Sequence, residues 1–136
     1  MPQKIHHIAV AVQDIKSALP VFRDALGLTV AHVEDVEGQG VKTAMLSLGD
    51  TGLELIAPLT ASSPVALFLQ RHGEGIHHIC LEVENLEVAL LRLKANGMRL
   101  VDEQPRLGAD GALVAFVHPS STHGVLLELR QSKKEL

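Results

Sequence analysis

The sequence predicts an α+β fold built from two βαβββ modules in tandem. Three observations carry that expectation. The segment IHHIAVAV at residues 5–12 recurs as IHHICLEV at 76–83, with His7 matching His78 at an offset of 71 (78 − 7). Each copy is followed by a helix-like segment closed by glycine, Gly27 in the first and Gly97 in the second. Each module then ends on a strand with a carboxylate among leucines, Glu54 in GLELIAP and Glu128 in GVLLELR, at an offset of 74 (128 − 54). A self-match at fixed period marks a repeated supersecondary unit. The 136 residues suffice for one compact domain but not for two full-sized ones. The modules, about 5–58 and 76–131 with a linker helix at about 63–72, are therefore expected to share a core in a single domain.

Taken in order, residues 5–12 alternate as a strand. His6, Ile8, Val10 and Val12 form a bulky face expected to meet a helix, while Ile5, His7, Ala9 and Ala11 line the other. Asp14 is placed to cap a helix running through Leu26, with Leu19, Phe22 and Leu26 at helical spacing. Pro20 deletes a backbone donor beyond the first turn and predicts a kink or irregularity. Strands are expected at 28–35, 41–48 and 52–57, separated by the glycine-rich turns EGQG and GDTG. In the last of these, Glu54 shares a face with Ile56. Ser63 and Pro64 read as N-cap and first position of the linker helix, and Gly73 as its stop. In the second module, strand 77–83 places Ile76, His78, Cys80 and Glu82 opposite His77, Ile79, Leu81 and Val83. Asn85 caps a helix whose buried stripe is expected to be Leu86, Val88, Ala89, Leu90 and Leu93, ending at Gly97. Strands at 99–103, 112–118 and 124–130 complete the copy.

Composition narrows the functions. Hydrophobic residues at 46 % and charged ones at 21 % are ordinary globular values. Aromatics at 2 %, with a formal net charge of −4, offer neither stacking platforms nor a phosphate-backbone footprint, so nucleic acid is not an expected partner. No apolar run reaches the roughly 18 residues needed to span a bilayer, and no charged-then-apolar leader opens the chain. A cytoplasmic protein with no membrane partner is expected. The single cysteine, Cys80, fits a reducing compartment and reads as a buried structural thiol.

The chemistry lies in the repeat. His7, Glu54, His78 and Glu128 come from equivalent positions in two modules, so a pseudo-twofold pairing of the modules would bring all four to one point. Two neutral imidazoles and two carboxylates suit a divalent ion and balance its charge. Taken singly, a histidine on a strand is more often a hydrogen-bonded core residue and a glutamate a strand-end charge. Their joint recurrence favours ligation. His6 and His77 also recur, but on the helix-facing side, where packing is expected. His32, His72, His118 and His123 follow no pattern and default to surface or loop roles. GADG at 108–111 lacks the glycines and the Lys-Ser/Thr ending of a phosphate-cradling P-loop.

These residues resemble the vicinal oxygen chelate (glyoxalase/bleomycin resistance) superfamily. Within it, EGQGVKTAMLSLGDTGLELIAPL, FLQRHGEGIHHICLEV, PRLGADG and FVHPSSTHGVLLEL are similar to the methylmalonyl-CoA epimerases, over about residues 5–131. The resemblance implies one curved, eight-stranded mixed sheet around a metal-containing cup. His7, Glu54, His78 and Glu128 would hold a divalent ion, with cobalt, manganese or zinc as the expected identities. It implies an isomerase that epimerises methylmalonyl-CoA at carbon 2 through an enolate, within propionate metabolism, working as a homodimer. Glu128 is the first candidate for a catalytic base and Glu54 the second. Some relatives carry a carboxylate three residues after the Gly of the QGV motif; here that position is Thr43, whose hydroxyl cannot replace it near neutrality. Two alternatives stand beside this reading. A glyoxalase I-type lyase acting on a thiol hemithioacetal usually carries D-P-x-G before the last strand, where this chain has HPSSTHG. A metal-independent binding protein of the same fold would offer aromatic cleft walls, which three phenylalanines scarcely provide.

Overall fold

The computed structural model describes residues 2–132. Eight strands are formed: β1 (Pro2–Ala11), β2 (Thr29–Val36), β3 (Val41–Leu48), β4 (Thr51–Pro58), β5 (Gly75–Val83), β6 (Arg106–Leu107), β7 (Leu113–Val117) and β8 (Leu127–Gln131). They belong to one mixed sheet in the order β2-β3-β4-β1-β5-β8-β7-β6. The helices are α1 (Ile15–Leu19), α2 (Pro64–His72) and α3 (Leu86–Ala95). The chain divides into two compact units, residues 7–77 and residues up to 6 with those from 78 onward, so the boundaries fall inside β1 and β5. Among the described residues no helix is long and apolar enough to cross a membrane.

In the unit of residues 7–77, β1 pairs parallel with β4, and β4–β3 and β3–β2 pair antiparallel. Val10 and Val12 turn toward α1, as the alternation predicts, and join Ile15, Ala44, Leu46, Leu55 and Ala57 in one core. Burial of Leu46 and Leu55, each 0 % exposed, contributes about 1.5–3 kcal/mol apiece. Asp14 stands at the N-cap, but its carboxylate accepts the Ser17 hydroxyl at 2.9 Å rather than a backbone N–H. At Pro20 the helix widens into a π-helical stretch, Pro20–Ala25, in which the Leu26 N–H reaches five residues back to the Val21 carbonyl at 2.9 Å. The missing proline donor and the ring's crowding of the preceding turn explain the irregularity. Leu26 is 63 % exposed and not in the expected apolar row. The chain reverses at Gly27, whose φ of 77° suits glycine, and Leu28 packs on the core instead.

The linker helix α2 forms as predicted. The Ser63 hydroxyl accepts the Ala66 N–H at 3.2 Å, Pro64 opens the helix, and Gly73 ends it. Ser63 is itself buried against Gly40, where a Cβ would lie 2.9 Å from the Ser63 Cβ. The EGQG turn is therefore glycine at position 40 both for its φ of 68° and for close approach.

In the unit from residue 78 onward, β5 pairs parallel with β8, while β8–β7 and β7–β6 are antiparallel. Val83, Leu86, Leu90, Ala115, Val117 and Leu129 form its core, with Ala89, Leu93 and Met98 packed against it. Val88 does not belong to the buried stripe; it is 58 % exposed, because two residues on from Leu86 a helix has turned roughly 200°. The Asn85 side chain accepts the Val88 N–H at 3.1 Å, so the cap itself forms as expected. Gly97, at φ 75°, lets the Met98 N–H return to the Leu93 carbonyl.

The expected strand at 99–103 is replaced by a single bridge, Leu100 to Val117, and a two-residue strand farther on, β6. The reason is local. Asp102 uses its carboxylate, rather than only its backbone, to accept the Phe116 N–H at 2.9 Å, which interrupts the ladder before Pro105, a residue without a donor, can extend it.

Candidate metal centre

The two histidine–glutamate pairs arise from one register, used twice. On β1, His7 stands two residues before Ala9, and Ala9 is the partner of Glu54 on β4. On β5, His78 stands two residues before Cys80, and Cys80 is the partner of Glu128 on β8. Residues two apart on a strand share a face, as do directly paired residues, so each histidine and its glutamate point the same way. His7 Nε2 lies 3.4 Å from Glu54 Oε1, and His78 Nε2 lies 3.1 Å from Glu128 Oε1. None of the four is more than 5 % exposed.

The apolar row on the reverse of each strand fixes these directions. Leu53, Leu55 and Ala57 face one core and Leu127 and Leu129 the other, so a slip of one residue would bury both glutamates among leucines. Burying two carboxylates is costly, and a bound cation offsets that cost. Adjacent ligands on one ion with bonds of about 2.1 Å lie roughly 3.0–3.4 Å apart. The two observed separations match that edge length. The donor set of imidazole nitrogen and carboxylate oxygen therefore fits a divalent cation, and each unit offers one such buried pair, His7 with Glu54 and His78 with Glu128.

His32, His72, His77, His118 and His123 fall where a packing or surface role places them. His77 is partly buried with its ring edge-on to Phe68 of α2, centroids 4.8 Å apart, and His72 stacks tilted on the same phenylalanine at 4.9 Å. His6 is partly buried. His32 is half exposed and 3.0 Å from Glu34. In the HPSSTHG loop, His118 Nδ1 accepts the Ser120 N–H at 3.0 Å and His123 adopts a left-handed φ of 57°. Cys80 is fully buried and forms no disulfide.

Thr43 does lie on the face of Glu54. It pairs with Ile56, two residues from Glu54, and is 4 % exposed. Its hydroxyl donates to the Glu34 carbonyl at 3.4 Å, which occupies the proton it would have to move. Sequence reasoning missed the surroundings of His78. Phe116 of β7, the partner of Glu128, stands edge-on to the His78 ring at 5.3 Å. The Arg106 guanidinium lies over the Phe116 ring at 5.6 Å, and Asp102 is 3.2 Å from its Nε. The signal was present as PRLGADG, but nothing in its spacing links an arginine at 106 to a histidine at 78. Arg130 ties the GADG turn to the sheet through Glu82 at 3.8 Å and Asp110 at 4.0 Å.

Comparison with known proteins places this geometry. Residues 6–116 match the Glyoxalase/Bleomycin resistance protein/Dioxygenase superfamily. The mitochondrial methylmalonyl-CoA epimerase of Bos taurus is 39 % identical over 130 residues, which span 95 % of this chain and 74 % of that protein. The ethylmalonyl-CoA/methylmalonyl-CoA epimerase of Cereibacter sphaeroides is 40 % identical, over 94 % of this chain and 97 % of its own. The crystal structure of methylmalonyl-CoA epimerase from Mycobacterium tuberculosis superimposes with a TM-score of 0.94 at 33 % identity, covering 98 % of this chain and 90 % of that one. The chain belongs to the methylmalonyl-CoA epimerase family of the glyoxalase/bleomycin resistance protein/dioxygenase superfamily.

Proposed function

We propose that this enzyme interconverts the two configurations at carbon 2 of methylmalonyl-CoA, with His7, Glu54, His78 and Glu128 holding one divalent ion. The observation that carries the reading is the twice-used register that sets a buried histidine against a buried glutamate. The activity named for its relatives supports the substrate. A bound divalent ion supplies Lewis acidity toward the thioester and carboxylate oxygens, worth several kcal/mol of charge stabilisation.

The chain's own residues move the proton. Glu128 is the first base: its carboxylate takes the carbon-2 proton, the C–H electron pair passes into the thioester carbonyl to give the enolate, and a proton returned to the other face inverts the centre. Glu54, its counterpart in the first module, serves the second face, because Thr43 supplies no carboxylate. Buried flanking residues such as Ala9, Cys80 and Phe116 keep bulk water from the site and strengthen each charge interaction there. Imidazole with carboxylate suits cobalt, manganese or zinc. The two modules form one domain in this reading. The long edge strand β2, with Val33 49 % exposed, suits the homodimer the reading includes; the reading also places the protein in the cytoplasm and in propionate metabolism.

The test is deuterium incorporation at carbon 2 of methylmalonyl-CoA in heavy water, with and without a chelator. Exchange that requires metal is expected. A metal-loaded protein that exchanges nothing would overturn the assignment.

A further inference from the structure

The geometry points to Arg106 as the residue that recognises the free carboxylate of the acyl group, and so selects malonyl-type thioesters over simple acyl-CoA. This rests on the proposed epimerase reading and deepens it. The guanidinium is positioned from two sides. Below, it lies 5.6 Å over the Phe116 ring, whose edge meets His78 at 5.3 Å. These separations limit the Arg106 Cζ to about 11 Å from the His78 ring centre. Behind, Asp102 stands 3.2 Å from Nε with its other oxygen fixed by the Phe116 N–H. Arg106 Nε is buried, and no hydrogen bond of good geometry satisfies it. With Asp102 beside its Nε and Phe116 against its face, Arg106 has its two terminal nitrogens to offer as a fork, the arrangement that matches a carboxylate.

Register places the fork on the site's face. Arg106 pairs with Val114, two residues from Phe116, which pairs with Glu128. The same step in the other module, from Glu54 through Met45 and Thr43, leads to Glu34. The two modules thus carry opposite charges at equivalent positions, and a repeat that otherwise keeps its ligands in duplicate breaks its symmetry here. A malonyl thioester is itself asymmetric, with a carboxylate at one end and a thioester at the other. The coenzyme A phosphates lie a full pantetheine arm from the reacting carbon, so of the substrate's anions the acyl carboxylate is the one beside the chemistry.

The experiment compares the affinities of malonyl-CoA, propionyl-CoA and coenzyme A by titration calorimetry for the metal-loaded wild type, Arg106→Gln and Arg106→Lys. Circular dichroism confirms the fold of each. Wild type should prefer malonyl-CoA to propionyl-CoA, and Arg106→Gln should lose roughly 10- to 100-fold of malonyl-CoA affinity, the range of one charged hydrogen-bonded contact. Its propionyl-CoA and coenzyme A affinities should be unchanged, and Arg106→Lys should recover part of the loss. Equal weakening toward all three ligands, or an unchanged preference, overturns the proposal. Deuterium exchange by the wild type on the same preparation separates this outcome from failure of the epimerase reading: an active enzyme whose Arg106→Gln variant still discriminates refutes the role of Arg106 alone.

Discussion

Glu128→Gln should roughly halve the stabilisation that metal gives the protein. Glu128 is 5 % exposed and 3.1 Å from His78 Nε2. Without an ion, the wild type keeps a buried carboxylate beside His78, and taking a carboxylate out of water is costly. Replacing it by the isosteric amide removes the buried charge and should stabilise the metal-free protein, or leave it unchanged, by about 0–2 kcal/mol. With an ion the balance shifts toward the wild type. At a free metal concentration about 100 times its dissociation constant, binding stabilises the wild type by roughly 2.7 kcal/mol. If the amide weakens binding about 10-fold, that gain falls to roughly 1.4 kcal/mol at the same concentration. For 136 residues the unfolding entropy is about 0.28 kcal/mol per kelvin, so metal should raise the wild-type melting temperature by roughly 10 °C and the variant's by about 5 °C. Thermal unfolding followed by circular dichroism, in chelator and in manganese(II) or cobalt(II), measures all four values. A metal-free variant clearly less stable than the metal-free wild type, with an undiminished metal-induced rise, would refute the view that metal binding acts through the Glu128 carboxylate.

Two further outcomes are expected. In turnover, Glu128→Gln should lower kcat by roughly 100-fold or more, the usual scale for a lost general base, while Glu54→Gln should be milder; steady-state epimerisation of methylmalonyl-CoA checks this, and small, equal losses would mean that neither carboxylate moves the proton. Gly40→Ala should cost about 1–3 kcal/mol in urea unfolding, because residue 40 sits at φ 68° and the added Cβ would come within 2.9 Å of Ser63, the cap of α2. An alanine variant as stable as the wild type would show that the turn and cap can separate freely.

Much of the site was readable because repetition is a property of sequence. The matched His7 and His78, and Glu54 and Glu128, needed no coordinates to be paired, since strand alternation and the leucines beside each glutamate dictate which way the four side chains point. The caps at Ser63 and Asn85 and the glycine stops at 27 and 97 were equally local, each set by hydrogen bonds within a few residues. Asp102 shows where local reasoning ends. Its sequence neighbourhood reads as a strand, yet its carboxylate finds the Phe116 N–H fourteen residues away and stops the ladder.

By itself, then, the sequence determined the repeated strand faces, the helix caps and the four metal-ligand candidates, because periodicity and capping depend on neighbours along the chain. Only the tertiary structure decided that Leu26 and Val88 face solvent, that Pro20 opens a π-helical stretch, and that Arg106 lies over Phe116 beside His78. Those outcomes depend on which strand lies next to which and on where the chain reverses at Gly27. They are competitions among groups distant in sequence, and only the packed chain resolves them.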